Sequence, residues 1–112
     1  MANLKLKRLE SLAQRELSLW LLNQSKNDSL KEISVTEIRI TNDLSYMYIY
    51  YTVFKQERLD FYQELLEEYK ILIRKTLASK IKARKMPELI FKYDESLNNG
   101  NRIEEIIDNL NK

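Results

Sequence analysis

The chain has no cysteine and no histidine, one glycine (Gly100) and one proline (Pro87). Without cysteine there can be no disulfide, thiolate zinc site or cysteine nucleophile. Without histidine the commonest general base and the commonest metal ligand are missing. Loops that cradle phosphate need glycine so that the backbone can approach the anion. Walker A, dinucleotide-binding and GxxG loops are therefore excluded in their usual form, and any bound phosphate must be held mainly by side chains. Long apolar runs are also lacking. With tyrosine counted as polar, the longest is four residues, Leu19 to Leu22, against about 20 for a membrane-spanning helix. Residues 1–22 lack the apolar stretch and small-residue cleavage site of a signal peptide. A soluble, cytoplasmic protein is expected. Its 112 residues suit one domain that buries roughly 65% of its unfolded surface without staples.

What is present is an uneven distribution of charge. The net charge is +2, yet residues 70–85 hold seven cations and no carboxylate: Lys70, Arg74, Lys75, Lys80, Lys82, Arg84 and Lys85. The rest of the chain has 12 basic and 17 acidic groups, a balance of −5.

Apolar spacing supplies the elements. Leu6, Leu9, Ala13, Leu17 and Trp20 recur at steps of three or four, which predicts an amphipathic helix over 4–22. "NQSKNDSL" interrupts it with turn formers. "EISVTEIRI" reads as a strand whose parity slips near Thr36, implying a bulge. After the turn "TND" comes the clearest strand, "LSYMYIYYTVF", with Met47, Ile49, Tyr51 and Val53 on one face and Tyr46, Tyr48, Tyr50 and Thr52 on the other. These two strands are placed to pair antiparallel. From Glu57 to about Ala83 the helical period returns, with Leu65, Leu66, Tyr69, Leu72, Ile73, Thr76, Leu77 and Ile81 on one broad side. A helix this long in a small domain invites a kink or break. Pro87 stops it. "LIFKY" reads as a third strand, joined to the second through a helix and so parallel to it. "NRIEEIIDNL" reads as a weak final helix. The fold class is α+β: a three-stranded mixed sheet with helices on one face.

On a helical wheel Arg74, Lys75, Lys82 and Lys85 fall within an arc of about 100°. Complementing the helix dipole explains cations in the last turn, but not seven over sixteen residues. A polyanion site, above all single-stranded RNA, explains the number. The tyrosine stripe offers base stacking, strand-pairing contacts with no ligand, or a protein-binding patch. Glu64, Glu67 and Glu68 lie at neighbouring helical positions and suit either Mg²⁺ chemistry or a solvated face.

Three segments together resemble the ribosome-binding factor A family. They are "RLESLAQREL" from Arg8, "VTEIRITNDLSYMYIYYTVF" against a VTxVxxxxDLSxAxVYV pattern, and "IRKTLASKIKARKMPELIFKYDESL" against IRxxLxxxLxxRxxPELxFxxDxS. The resemblance implies a type II KH-like fold of α-β-β-α-(kink)-α-β order over 1–95, with 96–112 as a C-terminal extension. It implies a monomeric, non-enzymatic factor without cofactor or metal. Such a factor binds the free small (30S) subunit, assists late maturation of 16S rRNA near its 5′ end, and matters most in the cold. The alternative is a protein-interaction or regulatory domain that uses the tyrosine face. On the RNA reading, Arg74, Lys75, Lys80, Lys82, Arg84 and Lys85 contact phosphates together with Lys70, and Lys5, Lys7 and Arg8 extend the patch if the first helix packs nearby. The sequence departs from the family where an Ala-x-Gly kink is usual: Tyr69, Lys70 and Ile71 stand there.

Overall fold

The computed structural model describes residues 4–24, 27–82 and 85–95. Arg84, the extension expected over 96–112 and its weak helix lie outside the described residues.

The first apolar period forms α1, Leu4–Leu22, which buries Ala13, Leu17 and Leu21 and half-buries Leu6, Leu9 and Trp20. The polar stretch that follows does more than turn. The Asn27 side chain accepts from the Ser29 N–H at 3.0 Å and caps a short 3-10 turn, Asp28–Glu32, that carries Leu30 into the core. Next come β1, Ile33–Ile40, and β2, Tyr46–Val53, paired antiparallel. The parity slip at Thr36 is a bulge, where the register moves from Val35↔Tyr51 to Glu37↔Tyr50. The extra residue allows Ile33, Ile38 and Ile40 all to face the core, which strict alternation would forbid.

Polar side chains hold the β1–β2 turn. The Thr41 hydroxyl donates to Asp43 Oδ1 at 2.9 Å, and the Ser45 N–H donates to the same oxygen at 3.0 Å. Bonds from Ser45, through its side chain and its amide, and then from the Thr41 hydroxyl hold the Asp43 carboxyl below its usual range. Leu44 occupies the left-handed region at φ 62° and packs against the core edge.

The long apolar period forms α2, Leu59–Ile81, a single unbroken α-helix. At Tyr69–Ile71, where the family's kink is usual and this sequence departs from it, the helix runs on without interruption; these residues include no glycine to release the backbone. The helix stops at Ile81, short of the expected Ala83. Its cap is Lys82, whose backbone turns left-handed (φ 55°, ψ 39°) and whose N–H reaches the Ala78 carbonyl at 3.3 Å. Leu72, expected on the core side, is 47% exposed. The buried stripe is narrower, running through Tyr62, Leu65, Leu66, Ile73, Leu77 and Ile81. β3, Glu88–Tyr93, lies parallel to β2 from Tyr46↔Glu88 to Tyr51↔Tyr93 and completes a sheet of order β1-β2-β3.

One sheet face is covered. Met47, Ile49, Tyr51 and Val53 of β2 are buried with Leu89 and Phe91 of β3, whereas Tyr46, Tyr48, Tyr50 and Thr52 face the other way and keep solvent contact. Trp20 meets Tyr69 edge to face, ring centroids 6.0 Å apart, and ties α1 to α2. α1 also satisfies the outer edge of β1. Glu10 accepts from the Ile40 N–H at 2.8 Å, and the Gln14 amide donates to the carbonyls of Val35 and Thr36 beside the bulge. These bonds occupy backbone groups that a free edge strand would offer to another chain. Met47, Leu66, Leu77 and Leu89 are each at most 1% exposed. Truncating one to alanine costs about 2–5 kcal/mol, a large share of the roughly 5–15 kcal/mol that holds a domain together.

Candidate nucleic-acid interface

Three ion pairs occur among the described residues: Lys31–Asp28, Arg39–Glu37 and Lys70–Glu67. Of the proposed phosphate contacts in the described structure, only Lys70 is neutralised. Its Nζ lies 2.9 Å from Glu67 and 5.9 Å from the Phe91 ring centroid, on a half-buried side chain. Lys75, Lys80, Lys82 and Lys85 are exposed, with no carboxylate partner among the described residues. Lys82, the left-handed cap, and Lys85 both follow the end of α2, so of the arc drawn from helical spacing only Arg74 and Lys75 lie on the helix itself. Arg74 is committed differently. Its Nε donates to the Pro87 carbonyl at 3.2 Å and one Nη to the Met86 carbonyl at 2.7 Å, which straps α2 to the segment leading into β3. Only part of its guanidinium remains for a ligand.

The topology brings the sequence-distant cations to one end of the sheet. The Glu88 N–H donates to the Ser45 carbonyl at 2.9 Å, so the segment leaving α2 meets the β1–β2 turn. Glu10 on Ile40 places the first turns of α1 at that same end. Lys5, Lys7 and Arg8, all exposed, therefore lie at the end of the fold where Lys80, Lys82 and Lys85 emerge. The C-terminus of a helix carries about half a negative charge. Phosphate there must be held by extended lysine side chains rather than by backbone amides, which agrees with the lack of glycine among residues 1–99. Toward its N-terminus the outer face of α2 is acidic, with Asp60, Glu64, Glu67 and Glu68 exposed. Among the described residues no three Asp or Glu side chains form a group able to hold a metal ion. No helix of the described residues is long and apolar enough to cross a membrane.

Lys7 also lines a cleft of about 600 Å³ between α1 and the β1–β2 hairpin, with Arg39, Asn42, Tyr48 and Tyr50 among its walls. Sequence reasoning missed Lys92, whose Nζ lies 5.2 Å from the Tyr48 ring centroid. The signal was present in the parity of β3, where Lys92 alternates with the core residue Phe91, but it needed the register Tyr50↔Lys92 to acquire meaning.

Comparison with known proteins places this geometry. The family model for ribosome-binding factor A matches residues 5–107. The chain is similar to the ribosome-binding factor A of Phytoplasma mali, 42% identical over 94% of this chain and 95% of that one. It is also similar to that of Staphylococcus carnosus, 34% identical over 100% and 98%. Among solved structures, the crystal structure of ribosome-binding factor A from Thermus thermophilus superposes with a TM-score of 0.69 at 22% identity, covering 79% of this chain and 94% of that one. A homology model of the Thermus thermophilus ribosome-binding factor A, fitted into the cryo-EM map of a 30S complex of that protein, gives a TM-score of 0.59 at 20% identity, over 86% and 97%.

Proposed function

The chain belongs to the ribosome-binding factor A family, and on that premise we propose that it is a non-enzymatic assembly factor. It binds the free small ribosomal subunit and assists late maturation of 16S rRNA near the 5′ end. The observation that carries this reading is the set of four lysines at the end of α2, Lys75, Lys80, Lys82 and Lys85, that no carboxylate of the described residues neutralises. The Thermus thermophilus relative fitted into a 30S complex supports the small subunit as the partner. The lysines bind phosphate as point charges, joined by Lys5, Lys7 and Arg8 at the same end of the fold and by Arg84. Arg74 and Lys70 contribute what their internal bonds leave over. Binding energy drawn from these contacts favours one rRNA conformation over its competitors, so no bond in the RNA needs to be broken. The factor acts as a monomer in the cytoplasm, and cold is where this help matters most, because misfolded RNA helices then escape slowly.

Cosedimentation with purified subunits tests the reading. The wild-type chain travels with free small subunits and not with whole ribosomes. Lys75→Glu combined with Lys82→Glu keeps its circular dichroism spectrum and stays in the supernatant. Binding by the double variant at the wild-type level would remove these lysines from the interface.

A further inference from the structure

The open face of the sheet has features that the phosphate-binding end of α2 does not use. Tyr46, Tyr48 and Tyr50 alternate along the central strand, and Tyr46 is 41% exposed. Tyr46 and Tyr48 stand 6.4 Å apart between ring centroids. Tyr48 and Tyr50 line the cleft beside α1, opposite Lys7 and next to Asn42. The cleft's volume, about 600 Å³, lies in the usual range for small-molecule sites. Its carboxylates are already committed internally. Glu10 accepts from the Ile40 N–H, and Glu37 holds Arg39. Among the described residues Lys7 and Lys92 have no carboxylate partner, and the Asn42 amide makes no hydrogen bond. The surface therefore offers aromatic rings, two cations without a carboxylate partner among the described residues, of which Lys92 lies over the Tyr48 ring, and an amide that no described residue bonds, with the exposed Glu88 at its edge.

We propose that this cleft is a second RNA contact, one that takes unpaired nucleotides of a single strand. Tyr48 and Tyr50 stack on bases, Lys7 and Lys92 hold the flanking phosphates, and Asn42 hydrogen-bonds a base edge. Aromatic faces accept any base and give binding that persists when salt has screened the phosphates, whereas the amide adds discrimination among bases. The inference deepens the RNA-binding reading above and rests on it. It assigns the α2 lysines to structured backbone and the tyrosine cleft to a splayed strand, so that one domain can hold a helix and an unpaired neighbour together.

The test uses the full chain and an eight-nucleotide single-stranded RNA probe, with binding followed by fluorescence anisotropy in low and high salt. Tyr48→Ala with Tyr50→Ala is expected to weaken probe binding by about tenfold or more at both salt concentrations, while Tyr48→Phe with Tyr50→Phe, which keeps the rings, stays close to wild type. Lys75→Glu with Lys82→Glu is expected to lose subunit binding and keep most probe binding in high salt. In the unmodified chain, addition of the probe shifts the ring resonances of Tyr48 and Tyr50, a measurement that does not depend on how the alanine variants fold. Three results would overturn the proposal: unshifted rings, alanine variants that bind the probe as wild type does, or alanine variants that lose subunit binding but not probe binding. The last would assign the face to a protein of the subunit. In each of these cases the lysine variant still reports independently on the function proposed for α2.

Discussion

Arg74 separates structural from ligand-binding cations more sharply than any other residue of the basic segment. Replacing it with alanine removes two hydrogen bonds from a charged donor, to the carbonyls of Met86 and Pro87. Hydrogen bonds to charged groups are worth roughly 1.5–3 kcal/mol when buried. This side chain is solvent-exposed, so each bond falls below that range, at about 0.5–1 kcal/mol, and the pair is worth about 1–2 kcal/mol. For a chain of this size that lowers Tm by about 4–8 °C. Arg74→Lys recovers little of the loss, because an ammonium cannot reproduce the guanidinium fork that reaches both carbonyls. Lys75→Ala, one position along and with no internal partner, stays within about 0.5 kcal/mol of wild type. Thermal melts of the three variants, paired with urea titrations, provide the comparison. Equal stability of Arg74→Ala and Lys75→Ala would mean that the strap contributes nothing and that Arg74 is as available to RNA as its neighbour.

Other expectations follow from single features. Lys82→Gly relieves a left-handed backbone at the end of α2, which should raise stability by about 0.5–1 kcal/mol and weaken RNA binding through loss of one cation; a melt and a binding titration moving in opposite directions is the signature. Burial pushes the Tyr51 hydroxyl up to about 12, from an ordinary value near 10. Because the folded value is the higher one, the stabilisation is complete below about pH 10 and is lost as pH rises toward about 12; a Tm series from about pH 9 upward should fall less steeply in Tyr51→Phe than in wild type. Gln14→Ala frees the Val35 and Thr36 carbonyls at the bulge and should cost about 1 kcal/mol in urea unfolding.

Much of this architecture could be read from residue spacing. The change of parity at Thr36 announced the bulge, and the alternation of β2 gave both faces of the sheet, because a period of two leaves no other arrangement of Met47, Ile49, Tyr51 and Val53. Contacts between residues far apart in sequence were hidden. Nothing local marks Arg74 as a strap, since its acceptors are carbonyls 12 and 13 residues away. Leu72 looked like core because it borders the buried stripe, and only the packing of α2 shows it outside. The expected interruption of α2 came from helix length and from the resemblance, and a sequence without glycine at those positions does not make it. For the candidate interface, spacing pointed to a group of cations and no further. The convergence of Lys5, Lys7 and Arg8 with the end of α2 depended on how α1 caps the edge of β1.

On the function proposed above, the four lysines at the end of α2, which have no carboxylate partner among the described residues, meet RNA phosphate directly. Subunit affinity measured across a salt series tests it. Each phosphate contact contributes between about −0.7 (single strand) and about −0.9 (duplex) to the slope of log affinity against log salt, so these four alone predict a slope between about −2.8 and about −3.6 and a loss of about fifty- to 150-fold between roughly 50 and 200 mM. Lys75→Glu with Lys82→Glu should flatten the measured slope by at least about 1.4, the share of two contacts. A wild-type affinity that does not change with salt, or a slope that the double variant leaves intact, would contradict the claim.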